Sequence, residues 1–173
     1  PTVIRLALPP TAVLDAGAGP VTLGLTDARA GLGLRVLAGG AFNRLNARSG
    51  PMTLDGAPLA QAFDVTARLA EDDGYDVTLS LRDLAPEALA DPLPLPGTLS
   101  VQADGRVWLD RAPSPRTLTP ETAPQLTGLR LDGSQISLGR LRARVLGEVH
   151  ADAQGRAQGV LAIYSPDARP MLD

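Results

Sequence analysis

The fold is decided by residues Leu126 to Ile163, LTGLRLDGSQISLGRLRARVLGEVHADAQGRAQGVLAI, where apolar and polar residues alternate around glycine turns. From Leu141 to Ala151, the odd positions are apolar or small and the even positions are largely polar. A period of two is typical of a β-strand with one covered side. The segment Asp152 to Gly155 then predicts a three-residue loop, because Asp opens a type I turn and Gly adopts the positive φ of the closing bulge.

This loop fixes the register of the hairpin Leu141 to Tyr164. Counting outward gives the cross-strand pairs Asp152–Arg156, Val149–Gly159, Gly147–Leu161 and Val145–Ile163. Each glycine faces a branched residue, so we expect the glycines to leave room for their neighbours. A slip of one residue would move the apolar residues to the polar side of the sheet. The hairpin is therefore predicted to have one apolar side.

Two further segments carry the same loop pattern. Glu71 to Gly74 predicts a hairpin over Ala62 to Asp83, and Ala103 to Gly105 predicts a hairpin over Leu99 to Leu109. The expected pairs are Leu69–Val77, Ala67–Leu79, Val65–Leu81, Thr66–Ser80 and Asp64–Arg82 in the first, and Leu99–Leu109 and Val101–Val107 in the second.

In the remaining chain, proline, glycine and aspartate residues separate short apolar segments, a pattern that is typical of antiparallel strands joined by turns. We expect a strand over Thr2 to Leu8 ending at Pro9-Pro10, a hairpin over Val21 to Val36 that turns at Asp27-Ala28, strands at Phe42 to Arg48 and Met52 to Leu54, one helical turn within Asp83 to Ala90, and a surface loop over Arg111 to Gln125. No segment has helical periodicity over ten or more residues. The predicted fold class is all-β, an antiparallel meander of hairpins forming a curved sheet or open sandwich, with at most short helical turns.

Composition limits the domain organisation and the partners. Hydrophobic residues make up 44% of the 173 residues, which supports a single β-domain over 1–173, with a possible internal boundary near 91–97. The net charge of −3 argues against nucleic-acid binding. No apolar run reaches the roughly 18 residues of a membrane span. Because the chain begins at Pro1, we expect it to be the C-terminal part of a longer protein.

Candidate catalytic groups are few, and no motif gathers them. The only histidine, His150, falls on the polar side of its strand, where a solvated role is expected. A carboxylate-based hydrolase would draw on acids that the predicted registers place at hairpin tips and polar faces: Asp64, Asp72, Asp73, Asp76 and Glu148. There are no cysteines and no metal-ligand spacing. We therefore predict no catalytic residue, no metal and no cofactor, and a protein that is not an enzyme.

Three arginines form the one candidate binding set. Arg140, Arg142 and Arg144 line one side of a strand at spacings of about 7 Å. One interpretation is a stripe that binds anionic groups, such as phosphate headgroups or an acidic partner. The other interpretation is a solvated sheet face.

From Pro124 onward, the order of motifs resembles a known family. The motifs are Leu129-x-Leu131, Leu138-Gly139-x-Leu141, Gly147, Asp152-x-x-Gly155-Arg156, Gly159 and Met171-Leu172. They resemble the C-terminal part of an uncharacterised family of alphaproteobacterial envelope proteins, a domain of unknown function, and loosely the β-layers of AsmA-type envelope proteins. Leu138 and the segment Asp167 to Arg169 depart from the family, which tends to have Trp there. The resemblance implies a periplasmic location and an upstream signal or membrane anchor, and it transfers no catalytic residue.

Three functions follow as hypotheses. The first is a non-catalytic periplasmic β-domain, structural or lipid-associated, whose apolar sheet face or groove contacts phospholipid. The second is a protein-interaction module of an envelope assembly, acting through a strand edge or the arginines. The third, ranked last, is the carboxylate-based hydrolase. A groove that is open to solvent and lined by aliphatic residues would favour the first, whereas a closed sandwich core would favour the second.

Overall fold

The computed structural model describes residues 2–15, 20–35, 40–88, 96–117, 122–152 and 154–166, and within them the chain is all-β, as predicted. The strands are β1 (Thr2–Ala7), β2 (Thr11–Asp15), β3 (Pro20–Leu25), β4 (Arg29–Arg35), β5 (Ala41–Ser49), β6 (Met52–Leu54), β7 (Ala57–Ala60), β8 (Ala62–Leu69), β9 (Tyr75–Leu84), β10 (Leu99–Leu109), β11 (Leu126–Leu138), β12 (Leu141–Ala151) and β13 (Ala157–Tyr164). A 3-10 helix at Pro86–Ala88 supplies the predicted helical turn.

The strands form two antiparallel sheets. Four chain segments run from one sheet into the other, with a bend between the two strands of each segment. The large sheet has the order β1-β4-β5-β8-β9-β10-β11-β12-β13, and the small sheet has the order β2-β3-β6-β7. Each strand of the small sheet is joined in sequence to a strand of the large one, β1 to β2, β3 to β4, β5 to β6 and β7 to β8. The first bend follows from Pro9-Pro10, because proline lacks the N–H that would continue the ladder. The small sheet thus extends one end of the large sheet.

The prediction of a hairpin that turns at Asp27-Ala28 is wrong. Residues on the two sides of this point lie in different sheets, β3 pairing with β2 and β6, and β4 pairing with β1 and β5. Asp27 has a φ of 52°, which bends the chain without reversing it. Two hydrogen bonds join the bend at Asp27 to the bend at Pro9-Pro10, from Leu25 N to Pro10 O (2.7 Å) and from Leu8 N to Ala28 O (3.1 Å).

The predicted register of the last hairpin is confirmed. β12 and β13 pair Val149 with Gly159 and Gly147 with Leu161, and Asp152 N donates to Arg156 O at 2.8 Å. The role of the glycines differs from the expectation. A Cβ on Gly147 would collide with the carbonyl oxygen of Val160. The glycines therefore make room for the backbone of the neighbouring strand, at φ values that other residues rarely adopt.

The predicted register between β8 and β9 is wrong by two residues, although the predicted sides of the sheet are right. Observed pairs are Leu69–Tyr75, Ala67–Val77, Val65–Leu79 and Asp64–Ser80. The loop closes one residue early, with Ala70 N donating to Gly74 O at 2.8 Å, and Asp73 takes the positive φ of 59°. Gly74 serves a different purpose, because a Cβ there would lie 2.9 Å from Trp108 Nε1. Asp64 and Arg82 still share one side of the sheet, as the alternation requires.

The hairpin expected within Leu99 to Leu109 is also wrong, since this segment is the single strand β10. Asp104 lies opposite Thr78 of β9 and accepts a hydrogen bond from its hydroxyl at 3.0 Å. The pairing with β11 shifts between Gln102 and Gly105, so the Asp-Gly pair marks a bulge and not a turn. The predicted boundary near 91–97 lies largely outside the described residues, and the strands before and after it, β9 and β10, pair directly.

The Asp152 carboxylate makes the last hairpin sensitive to acid. Backbone hydrogen bonds, above all from Arg156 N (2.8 Å), hold the pKa of Asp152 below its ordinary value of 3.8, against the effect of burial. Its stabilising contribution is therefore complete above the unfolded-state pKa and is lost as the pH falls through the lower folded-state pKa. We expect the hydrogen-exchange protection factors of amides in β12 and β13 to fall at acidic pH before those of β8 do. The Asp152→Asn variant should abolish this difference, and an unchanged difference would contradict the assignment.

Candidate functional site: an uncovered apolar sheet face

The cross-strand register places apolar residues of all nine strands on one side of the large sheet. We call this side the apolar face; its larger residues are Ile4, Leu6, Leu32, Leu34, Phe42, Leu45, Phe63, Val65, Leu69, Tyr75, Val77, Leu79, Leu81, Val101, Val107, Leu129, Leu131, Ile136, Val145, Val149, Leu161 and Ile163. The opposite side, the polar face, carries most of the arginines and acids. The face predicted for the last hairpin thus extends over the whole sheet.

The described residues place no second layer over the apolar face. Even at the centre of the sheet, Val65, Leu79 and Val101 are only partly buried, and no described side chain is completely buried. At the β13 edge, Ile163 keeps 69% of its surface exposed. A sandwich would interdigitate such residues with a facing sheet. These residues therefore do not form the closed sandwich core that would favour a protein-interaction module over a lipid-associated domain.

The surface area supports the same conclusion. The chain has an accessible surface of 11,726 Å², whereas a folded monomer of this mass is expected to have about 8,000 Å². Covering one Leu or Val side chain is worth about 1.5–3 kcal/mol. An aliphatic surface that crosses nine strands is therefore the candidate site for an apolar ligand or partner.

One end of the apolar face is closed by a hydrogen-bonded contact. The Tyr75 hydroxyl donates to the Phe42 carbonyl at 2.8 Å, and Phe42 N donates to the Pro113 carbonyl at 2.9 Å. The segment after β10 thus reaches β5, and Ser114 is buried there although the sequence predicted a surface loop. Burial raises the pKa of the Tyr75 phenol, which keeps the hydroxyl protonated as a donor. Phe42 and Tyr75 are among the most buried apolar residues described.

The candidate carboxylates do not converge on a pocket. Arg106 donates to Asp76 at 2.7 Å and to Asp72 at 2.9 Å, so these two acids are engaged in ion pairs. Burial alone would raise the pKa of Asp72, but hydrogen bonds from Arg106 and Gly74 outweigh it, and the pKa lies below its ordinary value. Asp73 lies at the exposed loop tip. Asp64 and Glu148 lie on strands four positions apart, a separation of about 19 Å.

His150 lies on the polar face opposite Gln158, as predicted. Its Nε2 is 2.6 Å from the Glu148 carboxylate, and its ring centroid is 5.1 Å from that of Trp108. Gly128 lies between the two rings and leaves the space that they share. The sequence did not predict this contact, because it joins β10 and β12 across the intervening strand β11.

The predicted arginine set is divided between a strand and a turn. Arg142 and Arg144 lie on the polar face of β12, opposite Ser137 and Gln135, and Arg140 precedes the strand in the turn. The Arg144 guanidinium covers Gly133, lying 2.7 Å from the position of a Cβ on that glycine. None of the three forms an ion pair with another described residue. Their role as anion ligands remains a prediction.

Sequence reasoning missed a second arginine set. Arg5, Arg29, Arg44 and Arg48 line a depression of about 720 Å³ on the polar face of β1, β4, β5 and β8. These residues are far apart in sequence and share no motif. Only the observed strand order brings them together.

The closed end of the apolar face can be tested with a tyrosine pair. Removing the Tyr75 hydroxyl leaves the Phe42 carbonyl without one buried donor, so Tyr75→Phe should lower the free energy of unfolding by about 1–2 kcal/mol. Urea denaturation measures this change. The control is Tyr164→Phe on β13, where the ring is 60% exposed and the change should have no effect. Equal effects of the two substitutions would contradict a structural role for the Tyr75 hydroxyl.

No helix among the described residues has the length and hydrophobicity of a membrane span.

Comparison with known proteins gives one match. Neither the curated proteins nor the solved structures contain a match to this sequence. The predicted resemblance to an uncharacterised family is supported by a family model described as "Uncharacterized protein conserved in bacteria (DUF2125)", which matches residues 1–173. The chain belongs to this bacterial family.

Proposed function

We propose that this chain is a non-catalytic periplasmic β-domain that holds the acyl chains of phospholipid against its apolar face. The observation that carries the proposal is the aliphatic surface that crosses nine strands without a covering layer among the described residues. The periplasmic location and the relation to AsmA-type layers rest on the sequence resemblance alone.

The chemistry of the apolar face favours acyl chains over a folded protein partner. Its described side chains are mainly Leu, Val, Ile and Ala, with Phe42, Phe63 and Tyr75 as its aromatic residues. Protein-protein interfaces are enriched in aromatic residues and carry hydrogen bonds. Acyl chains need neither, since their binding derives from the burial of aliphatic surface. The contact of Tyr75 with Phe42 closes one end, where the tails would stop.

The proposal predicts co-purification of lipid through the apolar face. Protein isolated from its own envelope should carry phospholipid, detected by native mass spectrometry and lipid extraction. Ile163→Arg places a charge on the exposed margin of the apolar face and should reduce bound lipid by about tenfold or more, because a charge is costly to bury against acyl chains.

The matched control uses the same strand. Val160→Arg lies three residues away on the polar face, where Val160 is 75% exposed, and should leave the lipid content unchanged. Absence of phospholipid from the wild-type protein would refute the proposal, as would equal lipid loss in the two variants.

A second candidate function is supported by strand β13, which is one of the two edges of the large sheet. Edge strands are commonly protected by charged residues, but β13 has none. It exposes apolar side chains on both sides, with Leu161 and Ile163 on the apolar face and Val160 and Tyr164 on the polar face. Such an edge suits the addition of a strand from an envelope protein.

Site-specific photo-crosslinking separates this alternative from lipid binding. A crosslinker at Gln158 on the β13 edge should capture a discrete protein partner if strand addition occurs. The control is Gln102, which is also an exposed glutamine on the polar face but lies on the central strand β10. Equal crosslinking from both positions, or none from Gln158, would argue against an interaction module that uses this edge.

A further inference from the structure

We propose that Arg5, Arg29, Arg44 and Arg48 form a binding site for a phosphate-type oxyanion on the polar face of the large sheet. The site is separate from the predicted set at Arg140, Arg142 and Arg144, which lies on the turn and strand β12. It does not rest on the proposed lipid function, because it occupies the opposite side of the sheet.

The geometry centres on Gly31 of β4. Arg5 lies directly opposite Gly31 on β1, and Arg29 lies two residues before it on the same strand. On β5, Arg48 is opposite Arg29, and Arg44 is opposite Gly33. With about 4.8 Å between strands and about 6.8 Å between alternate residues, all four arginine Cα atoms lie within about 9 Å of the Gly31 Cα. Extended arginine side chains span this distance, so all four guanidinium groups can reach one ligand.

Like charges face each other at two places around the site, although Arg48 also lies opposite Asp64 and Arg68 opposite Asp76. Arg29 faces Arg48 directly across β4 and β5, and Arg44 faces Arg68 directly across β5 and β8. Like charges in such positions destabilise a sheet. Two pairs of this kind, four residues apart along β5 in a chain with a net charge of −3, suggest a use for the positive charge other than stability.

The four arginines also differ from the arginines that the fold uses structurally. Arg106, Arg111, Arg130 and Arg156 each bind a carboxylate at 2.7–3.0 Å. Among the described residues, no ion pair or side-chain hydrogen bond joins Arg5, Arg29, Arg44 or Arg48 to a protein group. Their donors are therefore available to a ligand.

The floor of the depression is built from glycine. Gly31 and Gly33 present no side chain to the polar face, and the Asn46 amide lies over the space that a Cβ on Gly31 would occupy. The lining contains one carboxylate, Asp64, opposite Arg48. Four guanidinium groups and one carboxylate leave a local charge of +3 in a depression of about 720 Å³.

These features select a phosphate-type group as the ligand. The guanidinium fork matches the geometry of phosphate oxygens and binds them through paired N–H donors. Four forks around one floor suit a multiply charged group such as a diphosphate. The same chemistry belongs to a lipid headgroup and to a soluble organic phosphate, and the experiment distinguishes these two sources.

The test measures binding of inorganic pyrophosphate by calorimetry, and binding to phosphatidylcholine vesicles with and without phosphatidate. Removal of two charge-assisted contacts in Arg29→Gln/Arg48→Gln should weaken binding by about tenfold or more. Asp64→Asn removes the opposing charge and should tighten it. The double variant Arg130→Gln/Arg156→Gln removes two arginines that pair with acids elsewhere on the sheet, so it is the matched control and should bind like the wild type.

The stability of the ligand-free protein provides a second readout. The Arg29→Gln/Arg48→Gln variant removes a pair of like charges, so its thermal midpoint at low salt should equal or exceed that of the wild type. Any increase in the midpoint should become smaller at high salt, because salt screens the repulsion. Pyrophosphate binding without vesicle binding identifies a soluble phosphate, and phosphatidate-dependent vesicle binding identifies a headgroup. The proposal is overturned if the wild type binds neither probe, or if Arg130→Gln/Arg156→Gln loses binding as much as Arg29→Gln/Arg48→Gln does.

Discussion

The structure depends on the backbone hydrogen-bond ladder that joins the nine strands of the large sheet. In most β-proteins this ladder is reinforced by a core between two layers, which removes apolar surface from water. Here most of the described side chains on the apolar face contact their neighbours in the sheet and remain partly exposed. Close backbone approaches, such as that of Gly147 to Val160, keep the strands in register. A ligand that covers this face would supply the missing layer and would stabilise the fold by mass action.

The two sides of the sheet have different chemistry, and the alternation of residues along each strand explains both. Along most strands, a Leu or Val on the apolar face has a polar residue next to it on the other face, and β13 is the exception. On the polar face, acids neutralise the arginines near β9 and β10, as Asp72 and Asp76 do for Arg106. Near β1 and β4 the described acids are fewer, and Arg5, Arg29, Arg44 and Arg48 form no ion pair with a described residue. The polar face therefore has one neutralised region and one that is strongly positive.

The alternation of apolar and polar residues was sufficient to predict the fold class and the last hairpin. Asp152 and Gly155 determine that loop locally, so its register follows from adjacent residues. The loop at Glu71 could not be resolved in the same way, because Gly74 is required by contact with Trp108, a residue on another strand. An Asp-Gly pair is compatible with a hairpin turn and with a bulge. At Asp104-Gly105, only the pairing with the neighbouring strands β9 and β11 decides in favour of the bulge.

The candidate sites show the same division between local and distant information. The apolar face was predictable in the two hairpins that form, β8–β9 and β12–β13, because it follows from alternation, but its extent required the strand order. The arginine set at Arg140 to Arg144 was visible since its members are two residues apart. The set around Gly31 was not, because bends at Pro10 and Asp27 are what place β1 beside β4.

The strand order also has a consequence for the order in which the sheet forms. From β8 to β13, every strand pairs with the strand next to it in sequence, and none of these contacts closes a loop longer than 110–125, which is shorter than the 8–28 connection from β1 to β4. Strand β1 instead pairs with β4, after the chain has passed through β2, β3 and two bends. Because distant pairing is slower, we expect the C-terminal meander to fold first and β1 to dock last. The same strand would then be the first to detach, so the arginine depression lies where local opening costs least and where an anion would do most to hold the edge in place.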